Sequence, residues 1–421
     1  MLRLFLASPW FIWGLGTTFY MYQFVLRASP NVMADHLRQA FQINASSLGI
    51  LASCYYLAYT LLQIPLGHFL DKWGAKRILR YAVITCTLGV FIFSFSDGFW
   101  LACGARFIIG LGASGAFLST IALTRDWIPP SQVTFAIGTT IALGKLGGML
   151  SNLPLALLIR SQGWRCSLLI LACFGCLLTI LIWLFVHSKK QPPSDDHIGS
   201  EKGVRKLFNM MRHRHIWHIA LYGCLTYVPL SVFTDTWGVL FLMKKHHVSK
   251  ELASLAISFV FIGTSIGAPL IALLSERLEQ RRLLMTLSAL GSLVVGILFV
   301  LGSYESFQIS VVLCFLMGAL LTGQTLVFTV SAESMPKPIS GLVTGFVNTI
   351  VMMGGIFFQP MVGFIMDFFW NGITENGLAV YSLDTFKLGL LVIPISMGIA
   401  FLSTLFIPET HPKKSDKVIF P

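Results

Sequence analysis

Charged residues are scarce in this 421-residue chain: Asp, Glu, Lys and Arg make up 11% of it, against roughly a quarter in soluble domains. Apolar residues reach 55% and the mean hydropathy is +0.76, which excludes a soluble globular protein and leaves a chain that crosses the membrane many times. Long polar segments are scarcer still. The one extended break, 188–214, carries Pro192, Pro193, Ser194, Asp195, Asp196, Gly199 and Ser200 ahead of a basic stretch, and is too short to house an ATPase. No segment has Walker-A spacing and none reads H-E-x-x-H, so the phosphate cradle of ATP-driven pumps and the ligand pair of zinc hydrolases are both missing. Eight cysteines, at 54, 86, 103, 166, 173, 176, 224 and 314, lie in or beside apolar runs, the wrong placement for a disulfide framework. Cys173 and Cys176 form a C-x-x-C, but without a nearby His or carboxylate they read as small packing residues. His213, His215 and His218 stand beside Arg212 and Arg214 and read as a basic helix start at the membrane surface. No metal and no cofactor are expected.

What is present is a series of apolar runs. A bilayer core takes about 20 apolar residues per helix, and the chain divides into twelve such spans: 9–33, 46–70, 78–96, 100–124, 133–158 and 165–187, then 215–243, 250–275, 282–303, 306–331, 339–367 and 383–407. The first follows Arg3 like a signal peptide but continues to Met33 with no convincing small-residue cleavage site, so it counts as a span. The net charge of +12 would point to nucleic acid in a soluble protein. Here most Lys and Arg fall in the segments that face the cytosol if both termini are inside, which is the positive-inside pattern and argues against a nucleic-acid surface. The expectation is an all-α, multi-pass protein of the bacterial inner membrane, monomeric in the bilayer. Its halves are 1–187 and 215–421, joined by 188–214.

Those halves repeat each other about 200 residues apart, the mark of a duplicated unit. Asp71 to Arg77 recurs as Glu276 to Arg282, Gly138 with Gly147 and Gly148 as Gly345 with Gly354 and Gly355, and Pro129 as Pro336. Glycines crowd spans 4, 5, 8 and 11, where small faces let helices approach closely.

The first polar turn is Gly67-His68-Phe69-Leu70-Asp71-Lys72-Trp73-Gly74-Ala75-Lys76-Arg77. Charge of that density cannot sit in lipid, so this is a tight turn outside the bilayer; an ordinary positive-inside turn is the plain alternative. The spacing Gly-x-x-x-Asp-x-x-Gly-x-Lys-Arg resembles the signature loop between helices 2 and 3 of the major facilitator superfamily. That resemblance implies two six-helix bundles related by a pseudo-twofold axis along the membrane normal. It also implies a latch formed by Gly67, Asp71, Gly74, Lys76 and Arg77, with Glu276 and Arg282 in the second copy, where Gly74 is replaced by Glu279. Gly144-Lys145-Leu146-Gly147-Gly148, followed by Pro154, faintly resembles the glycine-rich fifth-helix motif of the family's proton antiporters, without the proline expected beside the first glycine.

Charges inside spans are costly, and therefore informative. Tyr20, Gln23 and Arg27 recur at i, i+3 and i+7 and share one helix face, offering a phenol, an amide and a guanidinium to a cavity. Arginine presents a planar fork suited to carboxylate or phosphate oxygens; the alternative is an arginine snorkelling to the interface. The segment is similar to the first helix of the organic anion and organophosphate branches of the superfamily, which implies that Arg27 binds the substrate anion. Those organophosphate carriers have a second arginine in helix 7, where this chain has Asp235. One arginine and one carboxylate suit a monoanion moved with a proton, or a zwitterion such as an amino acid or small peptide; Asp235 as a fixed partner of Arg27 is the other reading. Arg106 opens a stretch resembling the family's fourth-helix motif, which implies proton coupling, substrate contact or a structural role. Lys145, near mid-span, either titrates or binds an anion. Tyr227, Gln324, Asn348 and Gln359 add neutral hydrogen-bonding groups.

The function expected is therefore secondary active transport by alternating access of a small anionic or zwitterionic solute, with protons as the coupling ion, and not an enzyme. A proton-driven multidrug exporter is the first alternative, favoured by aromatic content and disfavoured by Arg27. A receptor or scaffold is the second, disfavoured by short tails.

Overall fold

A computed structural model of the chain describes residues 8–187, 211–335 and 340–411, apart from the side chains of Ile64, His68, Asp71, Thr134 and residues 340–342. The apolar runs form helices because lipid offers the backbone no hydrogen-bond partner, so each N–H and C=O must be satisfied within its own segment. Helix α1 (Pro9–Phe41) starts with proline in its first turn and stops where Gln42 turns left-handed, at φ 49°. It runs well past residue 33. Its 33 residues rise about 50 Å, more than the roughly 30 Å of a hydrocarbon core, so its polar end around Asp35 and Arg38 can extend beyond the apolar layer.

Helix α2 (Ala45–Ser94) contains two spans joined at Gly74, which takes φ 75° and ψ 156°. A side chain there would be strained, and the glycine makes the predicted turn possible. Helices α3 (Phe99–Trp127) and α4 (Val133–Leu150) follow, then α5 (Leu153–Phe185), broken in the same way at Gly163, φ 76° and ψ 163°. In the second half α6 (Arg214–Val228) passes through a nine-residue π-helical segment, Pro229–Trp237, into α7 (Gly238–His246). Then come α8 (Lys250–Leu278), α9 (Arg281–Leu301) and α10 (Phe307–Leu320), followed by a 3₁₀ turn (Leu321–Gln324) and α11 (Thr325–Glu333). Helices α12 (Ser340–Phe368), α13 (Leu383–Leu390) and α14 (Val392–Ser403) complete the order.

Ten helical stretches among the described residues are long and apolar enough to cross a membrane. One of them, Phe135–Phe185, covers two of the expected spans, and none of the ten lies in α1. A departure from the all-helical expectation is a two-residue hairpin, β1 (Thr374–Glu375) with β2 (Leu378–Ala379), in register Thr374 to Ala379. Its loop is Asn376-Gly377, with φ 51° and 78°, the Asn-Gly pair that tight hairpins favour.

The chain forms two compact units, Met1–Ile43 with Ile50–His197, and Asn44–Gly49 with Ile198–Pro421. Each uses glycine at the same helix crossing. A Cβ on Gly110 of α3 would strike the Tyr55 carbonyl of α2, and one on Gly318 of α10 would strike the Val260 carbonyl of α8. These pairs stand at matching places in the repeat, so the duplicated motif is a backbone contact as well as a sequence pattern.

Candidate functional site

In the first unit, α1 brings Tyr20, Gln23, Phe24 and Arg27 to one side, as the i, i+3, i+4, i+7 spacing requires. Arg27 is 7% exposed and lies in an unbroken buried run from Tyr22 to Ala34. Its guanidinium carbon stands 4.2 Å from the centroid of the Phe24 ring, within the range of a cation–π contact. Tyr20 packs edge-on against the same ring at 5.1 Å and lies 5.1 Å from Phe117 of α3. Gln23 turns to α2, where the Tyr55 hydroxyl donates to its Oε1 at 2.6 Å.

Helix α4 adds a second cation. The half-buried Lys145 holds its Nζ 5.9 Å from the Phe24 centroid. Its neighbour Gly144 explains the approach: a Cβ there would collide with the Tyr20 ring and sit 3.1 Å from Phe24 Cε2, so only a residue without a side chain lets α4 lie this close to α1. Phe24, an apolar residue outside the polar set expected from the sequence, is thus the ring around which Tyr20, Arg27 and Lys145 gather. Its place on the Arg27 face is readable from spacing alone.

Arg106 of α3 is also buried, at 1% exposure, but it is used differently. Its Nη1 donates to the Leu26 carbonyl at 2.7 Å and its Nη2 to the Arg27 carbonyl at 3.2 Å, with the guanidinium 5.2 Å from the Tyr55 centroid. Two charge-assisted bonds to adjacent carbonyls hold α1 at the residue that carries the Arg27 side chain.

In the second unit, Asp235 is buried at 1% exposure inside the π-helical segment, and the Thr234 hydroxyl donates to its Oδ1 at 3.3 Å. Pro229 opens that segment and lacks an N–H, and a disturbed α ladder here re-aims the following side chains. Gln359 of α12 donates from Nε2 to the Ser231 carbonyl at 2.7 Å, while the Trp237 indole donates to the Gln359 carbonyl at 3.3 Å. The amide thus holds the π-helical segment against α12. Tyr227 is buried in α6, whereas Gln324 and Asn348 are half-buried in the 3₁₀ turn and α12.

Of the expected latch, the Asp71 side chain and Pro336 lie outside the described residues. Gly67 and Lys76 are half-buried and Arg77 is exposed. In the second copy Glu276 pairs with Arg281 at 2.7 Å rather than with Arg282. Arg281 also bonds Glu333 at 3.1 Å and Ser275 at 2.7 Å, and Arg282 donates to the Leu405 carbonyl at 3.1 Å. The Glu409 carboxylate accepts from the first two N–H groups of α9 at 2.9 and 3.0 Å, where a helix start favours an anion. Arg281, Glu333 and Glu409 carry no local signal that sets them apart from other polar residues at span ends. The spacing G-x-S-x-G does occur, from Gly263 to Gly267 in α8, but Ser265 is mid-helix and donates to the Phe261 carbonyl at 2.8 Å. It has none of the strand-to-helix turn a nucleophile needs.

The family model described as Major Facilitator Superfamily matches residues 13–359 and 236–419. The chain belongs to this superfamily of membrane transporters and is not an enzyme. It is 23% identical over 376 residues to the "Probable galactarate/D-glucarate transporter GarP" of Escherichia coli (strain K12), covering 81% of this chain and 84% of that one. It is 24% identical over 307 residues to the "Probable sulfoacetate transporter SauU" of Cupriavidus necator, covering 68% and 69%. Among solved structures it is similar to a bacterial homologue of the human lysosomal transporter Spinster, with a TM-score of 0.78, 16% identity and coverage of 96% and 97%. The fold is therefore that of a multi-pass transporter, and its relatives include proteins named for organic anions.

Proposed function

We propose that this protein is a proton-coupled carrier of a small organic anion in the bacterial inner membrane, with both termini in the cytosol. Arg27 grips the anionic group and Asp235 takes and releases the proton. The observation that carries this reading is the buried Arg27 guanidinium resting on the Phe24 ring. An aromatic face stabilises a cation while leaving the edge of the planar fork, where the N–H groups point, directed at oxygen acceptors. The relatives named for galactarate, glucarate and sulfoacetate support an anion over an amphipathic drug. Asp235 is the candidate proton carrier because it is buried in a helical segment whose ladder is already disturbed, and π-helical turns recur at functional sites. Arg106 acts as a positioning residue for Arg27. The halves 1–187 and 215–421 alternate access, and the Gly67–Arg77 turn with its copy Glu276–Arg282 latches one end of each.

The test is uptake into proteoliposomes of labelled D-glucarate, sulfoacetate and a panel of monocarboxylates, amino acids, dipeptides and lipophilic cations, with an imposed pH gradient. Accumulation of one or more organic anions driven by external acid is the expected result. Export of lipophilic cations with no anion moved would replace this reading with drug transport.

A further inference from the structure

Lys145 is the cation that the anion-carrier reading leaves without a task. We propose that Arg27 and Lys145 form a two-cation clamp around Phe24, and that the carried solute has two anionic groups on a short carbon chain. This rests on the proposed anion function and narrows it. Both cationic groups approach one ring, Arg27 at 4.2 Å and Lys145 at 5.9 Å from its centroid, so their separation is no more than those two distances laid end to end. That span is matched by a molecule of a few carbons.

Three observations point the same way. First, the approach is built into the packing. Gly144 puts the α4 backbone against the Tyr20 and Phe24 rings, and a Cβ on Gly147 would strike the Met21 carbonyl of α1; the two glycines hold the Lys145 segment against the Arg27 helix. Second, Lys145 is half-buried within a long apolar run, where an ammonium is costly and residues of this kind mark substrate or ion routes. Third, two cationic groups beside one ring, in a medium that screens poorly, attract a solute with two anionic groups more strongly than one with a single charge. The Phe24 ring beside both offers apolar surface to the carbon chain, and the planar fork of Arg27 and the compact ammonium of Lys145 suit different oxyanion groups.

The test compares matched pairs that differ by one anionic group: D-glucarate with D-gluconate, succinate with butyrate, and sulfoacetate with acetate. Inorganic phosphate serves as a compact dianion. Affinities for the purified wild type, Lys145→Gln and Lys145→Arg are read from ligand-induced thermal shifts, with monodispersity checked for each. For the pairs that bind, the dianion should be favoured in the wild type by roughly 10- to 100-fold, the size of one charge-assisted contact. Lys145→Gln should lose most of that ratio, chiefly through the dianion, and Lys145→Arg should recover part of it. A wild type that binds the monoanions as well as the dianions overturns the clamp, as does a ratio unchanged in Lys145→Gln, or phosphate binding more tightly than every two-group solute. Binding of no member of any pair would instead remove the anion-carrier reading, and the clamp with it.

Discussion

The surroundings of Arg27 and those of Asp235 occupy matching places in the sequence repeat, and they are made of opposite chemistry. Around Arg27 two cations and a tyrosine gather on the face and edge of Phe24. Around Asp235 a carboxylate, a threonine hydroxyl and the Gln359 amide line a π-helical segment. The helix crossings of the two units are the same, glycine against carbonyl at Gly110 and Gly318. Duplication thus preserves the places where backbones touch, while a handful of polar side chains differs. In the proposed function one unit holds the anion and the other moves the proton.

That division breaks most visibly at Arg27. Arg27→Ala should lower anion affinity by roughly 30-fold or more, the scale of truncating one partner of a buried charged pair, read by ligand-induced thermal shift on monodisperse protein. Asp235→Asn should come next. It removes the titratable group but keeps the shape, so labelled-anion exchange in proteoliposomes should continue while accumulation driven by a pH gradient falls to a ratio of about one. Accumulation that survives in Asp235→Asn would move the proton elsewhere and dissolve the contrast between the units.

The smallest effect concerns the turn that the repeat has altered. Gly74 takes φ 75°, and its counterpart Glu279 keeps a left-handed turn at φ 55° without being glycine. Glu279→Gly should raise stability by up to about 1 kcal/mol, the cost of holding an L-residue in that region, seen as a modest rise in the melting temperature in detergent. A fall would mean that the Glu279 side chain contributes more than its backbone strain costs.

The long-range frame is legible in the sequence because its causes are local. Apolar length sets the spans, Gly74 announces the turn between two of them, and the spacing from Tyr20 to Arg27 fixes a shared face. The same spacing includes Phe24, whose side chain by itself reads as one more apolar residue in an apolar run. The Asn376-Gly377 hairpin is also readable from its two turn residues. What sequence cannot supply are contacts made between helices. Nothing local to Arg106 says that its nitrogens end on the carbonyls of Leu26 and Arg27, some eighty residues away. Nothing near Glu276 says that Arg281 and not Arg282 turns back to meet it, because neighbouring residues on a helix point about 100° apart. Pro229 marks a disturbed ladder, yet nothing local says that Gln359 will bond the Ser231 carbonyl or that Trp237 will bond the Gln359 carbonyl.

The most direct test sets the two buried arginines of the first unit against each other. Anion affinity is measured for Arg27→Lys and Arg106→Lys, each with its melting temperature. If Arg27 meets the solute and Arg106 only holds α1, Arg27→Lys keeps the charge but loses the fork, and affinity falls roughly tenfold or more with little change in stability. Arg106→Lys gives up one of two carbonyl bonds, so stability falls by about 1–2 kcal/mol while affinity changes far less. The reverse ranking, with binding lost at Arg106 and intact at Arg27, would contradict the account.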